Sequence, residues 1–227
     1  MSEDAADTEG HRGRLRKRLF EGGPDVLLDH ELIEFLLILA RPRVDTKPIA
    51  KALLREFGSI SGVLTADAEA LKRIPEMGET SIAALKATHA AALRLLRDQV
   101  AQRPILANWQ ALLDYLRADM AHHAIERVRV LHLNSKNMLI RDELMAEGSI
   151  DEAPVYVREV IRRAIDLGSA AIILVHNHPS GDPAPSRADI DITRQVAEAG
   201  KRLGIAVHDH IIMAGEGHAS LRALGLI

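Results

Sequence analysis

Two histidines and an aspartate have the types and spacing of metal ligands. His176 and His178 follow an unbroken apolar run, residues 170–175, which predicts a buried strand. Side chains two residues apart in an extended chain point to the same side, so both imidazoles can converge on one point. Asp189 lies three residues after Ser186, where a helical pattern begins. Two imidazoles and a carboxylate with an open fourth position form the ligand set of a catalytic zinc site.

The same residues also have purely structural interpretations. A serine followed three residues later by an acid is a capping box at a helix start, so Asp189 could serve only as the capping partner of Ser186. A His-x-His sequence could simply be the polar end of a strand. The HEXXH motif of helical zinc proteases is absent from the sequence, so that motif does not compete.

Residues 176–190, HNHPSGDPAPSRADI, resemble a known signature. The pattern His-x-His-Pro, six residues, Ser, two residues, Asp is similar to the JAMM motif of MPN (JAB) metalloenzyme domains, and the fuller string resembles the bacterial RadC family. The resemblance implies zinc held by His176, His178 and Asp189, a metal-bound water, and hydrolysis of a peptide or isopeptide bond in a peptide or protein substrate.

A general base is expected at the start of the first strand of such a domain. In MPN domains an acid just before Val-x-x-Leu holds the zinc-bound water, and Glu126 matches that position. Glu143 and Glu147, near the end of a second strand predicted over residues 138–146, are alternative bases, and Glu126 could be a surface acid. The resemblance further implies that Ser186 donates to the oxyanion of the tetrahedral intermediate, and helix capping stays open beside that role.

A second histidine pair, His208 and His210, is expected on one face of a strand over residues 205–214. These imidazoles could support the ligands from behind or be structural. Alternatively, His208 could join His176 in a different metal set, as in a metal-dependent phosphoesterase.

The chain divides into two regions by its pattern. Up to residue 104 every predicted element is a helix, whereas strands and helices alternate from residue 105 onward. We therefore predict an α+β protein with a helical domain over 1–104 and an α/β JAB/MPN-like domain over 105–227, in which helices flank a mixed sheet. The boundary is expected near Pro104, in the proline-containing segment 102–106.

The helical region contains a segment, LKRIPEMGETSIAALKA at residues 71–87, that resembles the helix-hairpin-helix motif of RadC-like proteins. In binding versions, backbone N–H groups hold a DNA phosphate. Glu76 stands where a small glycine is usual and Glu79 follows the hairpin, so helical packing without DNA is the alternative. The basic run 12–18 could contact phosphate or form a solvated helix face.

Bulk composition excludes several classes of protein. The 227 residues have a net charge of -3 and no cysteine, which argues against a strongly basic nucleic-acid binder, disulfides and cysteine-ligated metals. Aromatic residues are only 3%, so the core must be aliphatic. The first residues lack the apolar run of a signal peptide and no segment is apolar over the roughly 20 residues of a membrane helix, so we expect a cytoplasmic protein.

These features leave three functions open. The first is a zinc hydrolase. The second is a DNA-associated factor in repair or recombination, in which the zinc domain only folds or has a cryptic activity. The third is a zinc-folded interaction module without catalysis.

Overall fold

The computed structural model describes residues 3–148, 156–215 and 217–227. The chain forms two compact units, Met1–Ala92 and Leu93–Ile227, which divide within the long helix α6, Glu79–Ala101. The domain boundary expected near Pro104 lies further along the chain and stays a prediction. Within the described residues, every helix is too short or too polar to cross a bilayer.

The first unit is helical around an aliphatic core. Helix α3 shows how local sequence limits these elements: a proline lies in its first turn, and it ends at Gly58, whose φ of 77° suits a glycine cap. The core combines Ile33, Leu53 and Leu85, all fully buried, with other aliphatic side chains. The helices before α6 are α1 Glu3–Gly22, α2 Asp29–Ala40, α3 Lys47–Phe57, α4 Ile60–Thr65 and α5 Ala68–Lys72, with a 3-10 turn at Pro24–Val26.

Helices α5 and α6 flank the hairpin that resembles a helix-hairpin-helix unit. Glu76 in this hairpin has a φ of 65°, a left-handed conformation that glycine adopts more readily. Its carbonyl accepts a hydrogen bond from Arg41. The backbone therefore turns as the motif requires, although a glutamate occupies the strained position.

The second unit is a mixed five-stranded sheet in the order β2-β1-β3-β4-β5. Strands β3 and β4 are parallel, and the other neighbours are antiparallel. The strands are β1 Glu126–Leu133, β2 Leu139–Gly148, β3 Ala171–His178, β4 Ala206–Ala214 and β5 Gly217–Ser220, and the helices are α7 Trp109–Met120, α8 Val157–Asp166 and α9 Arg187–Arg202, with a 3-10 turn at Ile105–Ala107.

Helices cover both faces of this sheet. Leu112 and Leu116 of α7 pack with the Ile173 side of β3, whereas Val160 of α8 and Val196 of α9 pack on the opposite face. Strand β3 is buried from Ala171 to Asn177, which explains why its sequence is continuously apolar up to Val175 rather than alternating. The α+β class and the mixed sheet flanked by helices are thereby confirmed.

Candidate metal centre

Three of the expected ligands converge at the end of β3. One ligand atom from each of His176, His178 and Asp189 lies within 4.8 Å of the other two. His176 Nε2 is 2.8 Å from His178 Nε2 and 3.3 Å from Asp189 Oδ1, and His178 Nε2 is 3.6 Å from Asp189 Oδ2. Tetrahedral zinc with ligand bonds of about 2.0–2.2 Å separates its ligand atoms by roughly 3.3–3.6 Å, so the donor set fits zinc with small adjustments.

Strand alternation delivers the two imidazoles. His176 is 1% exposed and His178 is half-buried at the last position of β3. The intervening Asn177 points to the other face, where its amide contacts the chain before β1. The expectation that both imidazoles share a side holds because β3 stays regular to its end.

The N-cap of helix α9, Ser186, holds the Asp189 carboxylate in place. The Ser186 hydroxyl accepts a hydrogen bond from the Asp189 amide at 3.1 Å, while the Ser186 amide and hydroxyl donate to Asp189 Oδ2 at 2.8 and 2.6 Å. Oδ1 of the same carboxylate faces His176. Capping and metal binding therefore do not exclude each other, because they rely chiefly on different oxygens of one carboxylate.

The outer nitrogens of both imidazoles have partners. His178 Nδ1 lies 2.9 Å from the carbonyl oxygen of Asp182, which can only accept, so Nδ1 carries the proton and Nε2 of the neutral ring has a free lone pair. His176 Nδ1 lies 2.8 Å from His210 Nε2. Because Nδ1 has this partner, the other ring nitrogen of His176, Nε2, is the one that faces the Asp189 carboxylate. The inner nitrogens of the two imidazoles thus lie within hydrogen-bonding distance of each other, close enough for both to bind one cation.

The electrostatics of the cluster act in different directions on its three side chains. Burial lowers the pKa of His176 to about 4. The hydrogen bond with Asp189 raises the pKa of His178. Burial alone would raise the pKa of Asp189, but His178, His176 and Ser186 together hold it below its ordinary range. At neutral pH the cluster contains a carboxylate and a neutral His176, and metal ligands must be unprotonated.

Glu126 lies beside the cluster on the neighbouring strand. The ladder between β1 and β3 begins at the pair Val128 and His176, and Glu126 and His178 each lie two residues beyond that pair. Side chains of opposite residues in an antiparallel pair share a face. The negative charge of Glu126 contributes to the raised pKa of His178, as expected for a near neighbour.

Asn177 ties the start of β1 to β3. Its Nδ2 donates to the carbonyls of His123 and Ile125 at 3.2 and 3.1 Å, and its Oδ1 accepts from the Arg127 amide at 2.8 Å. Glu126 therefore lies between two backbone groups bound by one buried amide. We did not identify Asn177 from the sequence; its position between the two histidines was the only available signal.

The other two glutamates considered as bases have different surroundings. Glu143 accepts from Arg163 Nη2 at 2.7 Å and from Arg163 Nε at 3.1 Å, and this arginine lowers its pKa. Glu147 pairs with Arg127 at 2.9 Å and stands opposite Arg127 in the β1–β2 register. Arg127 is adjacent to Glu126 in β1, so Glu147 and Glu126 lie on opposite faces of the sheet.

The structure separates the second histidine pair. His210 contacts His176, whereas His208 Nε2 lies 2.7 Å from the side-chain oxygen of Asn137. The physical reason is a register shift between Ile172 and Ile173 of β3, where the paired residues of β4 jump from Val207 to Asp209. The expectation that the pair shares one strand face is therefore wrong, and His208 does not join His176 in a metal set.

A comparison with protein families agrees with this geometry. A family model described as RadC-like JAB domain matches residues 106–226. The match covers slightly more than half of the chain and includes the mixed sheet, all three candidate ligands and Glu126. JAB domains are part of the JAMM/MPN superfamily, which contains hydrolases.

Proposed function

Because this chain belongs to the RadC family through its JAB domain, we propose that it is a zinc-dependent hydrolase of the JAMM type. The reaction is hydrolysis of a peptide or isopeptide bond in a peptide or protein substrate. A cysteine-free sequence agrees with action in the reducing cytoplasm.

The observation that carries this proposal is the convergence of one ligand atom from each of His176, His178 and Asp189, all within 4.8 Å of one another. With zinc, two imidazoles and one carboxylate leave a coordination position open for catalysis.

Zinc bound there would supply Lewis acidity and lower the pKa of a water towards about 7. Glu126 takes the proton from the attacking water and passes it to the leaving amine, since its charge is close enough to act on His178. Glu143 pairs with Arg163 and Glu147 with Arg127, whereas the charge of Glu126 acts on His178, and this proximity favours Glu126 over either alternative.

Ser186 has a positioning role, and the oxyanion role requires a movement. Its single hydroxyl proton is directed at Asp189 Oδ2 at 2.6 Å, which orients the carboxylate towards His176. Donation to a developing oxyanion requires this hydroxyl to rotate, after which the Ser186 amide still holds Asp189 Oδ2.

The test compares wild-type protein with Glu126→Gln, loaded with zinc and offered a library of peptides and isopeptide-linked conjugates. We expect the variant to retain zinc and to lose hydrolysis by a factor of about 100 or more, since general bases contribute about 100- to 10,000-fold. Retained turnover would redirect the base to Glu143 or Glu147. Zinc binding without cleavage of any library member by the wild type would favour a zinc-folded interaction module.

Association with DNA is the second candidate. Helices α5 and α6 flank a hairpin with the turn of a helix-hairpin-helix unit, which in binding versions holds a phosphate. The carboxylates of Glu76 and Glu79 oppose such contact. A mobility-shift titration decides, because phosphate contacts weaken steeply with salt; binding unchanged by Glu76→Gly and Glu79→Gln would exclude the hairpin as the contact.

A further inference from the structure

A line of buried hydrogen bonds connects the His176 side chain to the backbone of Asp189, on the side away from the candidate metal position. It begins at the backbone carbonyl of Asp189, which accepts from the Thr193 hydroxyl. Thr193 Oγ1 lies 2.5 Å from His210 Nδ1, and His210 Nε2 lies 2.8 Å from His176 Nδ1. Thr193 is fully buried and His210 is 3% exposed, so protein groups rather than bulk water decide where the protons lie.

The direction of every bond in this line follows from its first member. A carbonyl only accepts, so the single hydroxyl proton of Thr193 goes to Asp189. Thr193 Oγ1 must then accept from His210, whose proton lies on Nδ1. A neutral imidazole carries one proton, so Nε2 of His210 accepts and Nδ1 of His176 donates. The one remaining lone pair of His176 is on Nε2, the atom that faces Asp189 and His178.

We propose that Thr193 and His210 are positioning residues that hold His176 in the tautomer needed to bind metal. Resting on the proposed metal centre, this assigns zinc affinity in part to two side chains that are not themselves ligands. Groups that orient a ligating histidine from behind typically change metal affinity by about 10- to 100-fold when they are removed.

The two ligating histidines differ in how their tautomers are held. His178 Nδ1 bonds to a main-chain carbonyl, that of Asp182, which no substitution removes. His176 depends on side chains from α9 and β4. Without the Thr193 hydroxyl, Nδ1–H of His210 loses its acceptor and the ring can carry its proton on Nε2 instead. That proton then points at Nδ1–H of His176. Because two N–H groups cannot hydrogen-bond to each other, His176 shifts its own proton to Nε2, the atom that would bind the metal.

Thr193→Val and Thr193→Ser form the matched pair that tests this inference. Valine keeps the shape of threonine and lacks the hydroxyl, whereas serine keeps the hydroxyl. With full-length protein at one neutral pH, competition with a chromophoric chelator should show zinc binding about 10- to 100-fold weaker in Thr193→Val. Thr193→Ser should bind as the wild type does. Equal affinity of Thr193→Val and Thr193→Ser would overturn the inference.

A second pair covers the case in which Thr193→Val does not fold, which thermal unfolding of the zinc-free protein would reveal. In His210→Gln, an amide can accept from His176 and donate to Thr193, whereas His210→Leu can do neither. We expect His210→Gln to bind zinc more tightly than His210→Leu. The reverse order, or no difference, would contradict the proposed role.

Nitrogen-15 spectra of the imidazoles in zinc-free wild-type protein separate this inference from the proposed function. They should place the His176 proton on Nδ1. If the wild type takes up no zinc, the proposed hydrolase fails while these spectra still test the hydrogen-bond line. A His176 proton on Nε2 would refute the line whether or not zinc binds.

Discussion

A buried histidine lies near a carboxylate at each end of β3, His176 of β3 itself at the carboxyl end and His132 of the paired strand β1 at the amino end, and the two ends differ in what else pairs with that carboxylate. At the carboxyl end, Asp189 pairs with His176 and His178. At the amino end, His132 Nε2 lies 3.7 Å from Glu143, and Glu143 also pairs with Arg163 at 2.7 Å. The first carboxylate faces two imidazoles, of which His176 has a pKa lowered by burial and His178 a pKa raised by Asp189, and the second faces a permanent cation.

The partners of the histidine nitrogens also differ between the two ends of β3. His132 Nδ1 contacts the Ser169 hydroxyl at 3.0 Å, and burial lowers the pKa of His132. One imidazole and one arginine-bound carboxylate do not make a metal site. The comparison teaches that a buried histidine beside an acid is a weak sign of metal binding. Two imidazoles and a carboxylate whose ligand atoms converge on one point are a stronger sign.

The largest expected effect comes from removing the two histidines at the carboxyl end of β3 while leaving the amino end intact. His176→Ala/His178→Ala removes two of the three donors, so zinc should fall from about one equivalent per chain to background. His132→Gln, which removes the imidazole at the other end, should retain full zinc. Elemental analysis of the purified proteins decides, and equal zinc in the wild type and the double variant would end the ligand assignment.

Zinc should also stabilise the unit that carries the cluster. At a free zinc concentration of about 100 times Kd, binding to the folded state raises the free energy of unfolding by about 2.7 kcal/mol. Denaturant titrations with and without zinc measure this gain. His132→Gln should show it and His176→Ala/His178→Ala should not; a gain in the double variant would locate the zinc elsewhere.

Asn177→Ala tests how β1 is held near the metal centre. It removes the partners of the Arg127 amide and of two carbonyls, and an unsatisfied buried group costs about 1–3 kcal/mol. We expect hydrolysis to fall while zinc is retained, because Glu126 loses its support. Denaturant unfolding, zinc analysis and turnover measure these three quantities.

The matched control for Asn177 lies at the opposite end of β1. The Asn134 side chain accepts from the amides of Lys136 and Met138 in the turn that follows this strand. Asn134→Ala should lower stability and leave hydrolysis per folded molecule unchanged. Equal losses of turnover in both asparagine variants would mean that Asn177 acts only through stability.

The smallest effect concerns the arginine-bound carboxylate. The hydrogen bond from Arg163 holds the pKa of Glu143 below its ordinary range, so the charged form contributes stability above the unfolded value of about 4.3. That contribution is lost as the pH falls through the lowered pKa of the folded state. Glu143→Gln should cost about 1 kcal/mol at neutral pH, and the difference from wild type should shrink in acid.

The measurement is the free energy of unfolding of both proteins as a function of pH. Hydrolysis by Glu143→Gln should match that of the wild type, in contrast to Glu126→Gln. A stability difference that persists well below the pKa of a free glutamate would show that packing, rather than charge, explains the loss.

Local rules were sufficient to predict the directions of the candidate ligands, whereas the choice between capping and metal binding for Asp189 stayed open. Strand alternation aligned His176 with His178, and the cap geometry at Ser186 oriented Asp189. Each depends on residues within a few positions of one another. The mixed sheet and the helices on its two faces also followed from the alternation of strand and helix patterns.

Pairing between distant segments could not be predicted in the same way. The register shift that directs His208 towards Asn137 and His210 towards His176 exists only because β3 and β4 pair in parallel. Nothing in the sequence distinguishes Thr193 from an ordinary helical residue. Its contact with His210 arises only when α9 packs beside β4.

By itself, the sequence determined which atoms can bind a metal, because backbone geometry within one strand and one helical turn sets their directions. The tertiary structure alone decided which partner each nitrogen of His176 has, and it brought the charge of Glu126, the base that the family resemblance implies, to act on His178. The physical reason is that proton positions and ion pairs depend on side chains from separate strands and helices, whose contacts form only when the sheet assembles.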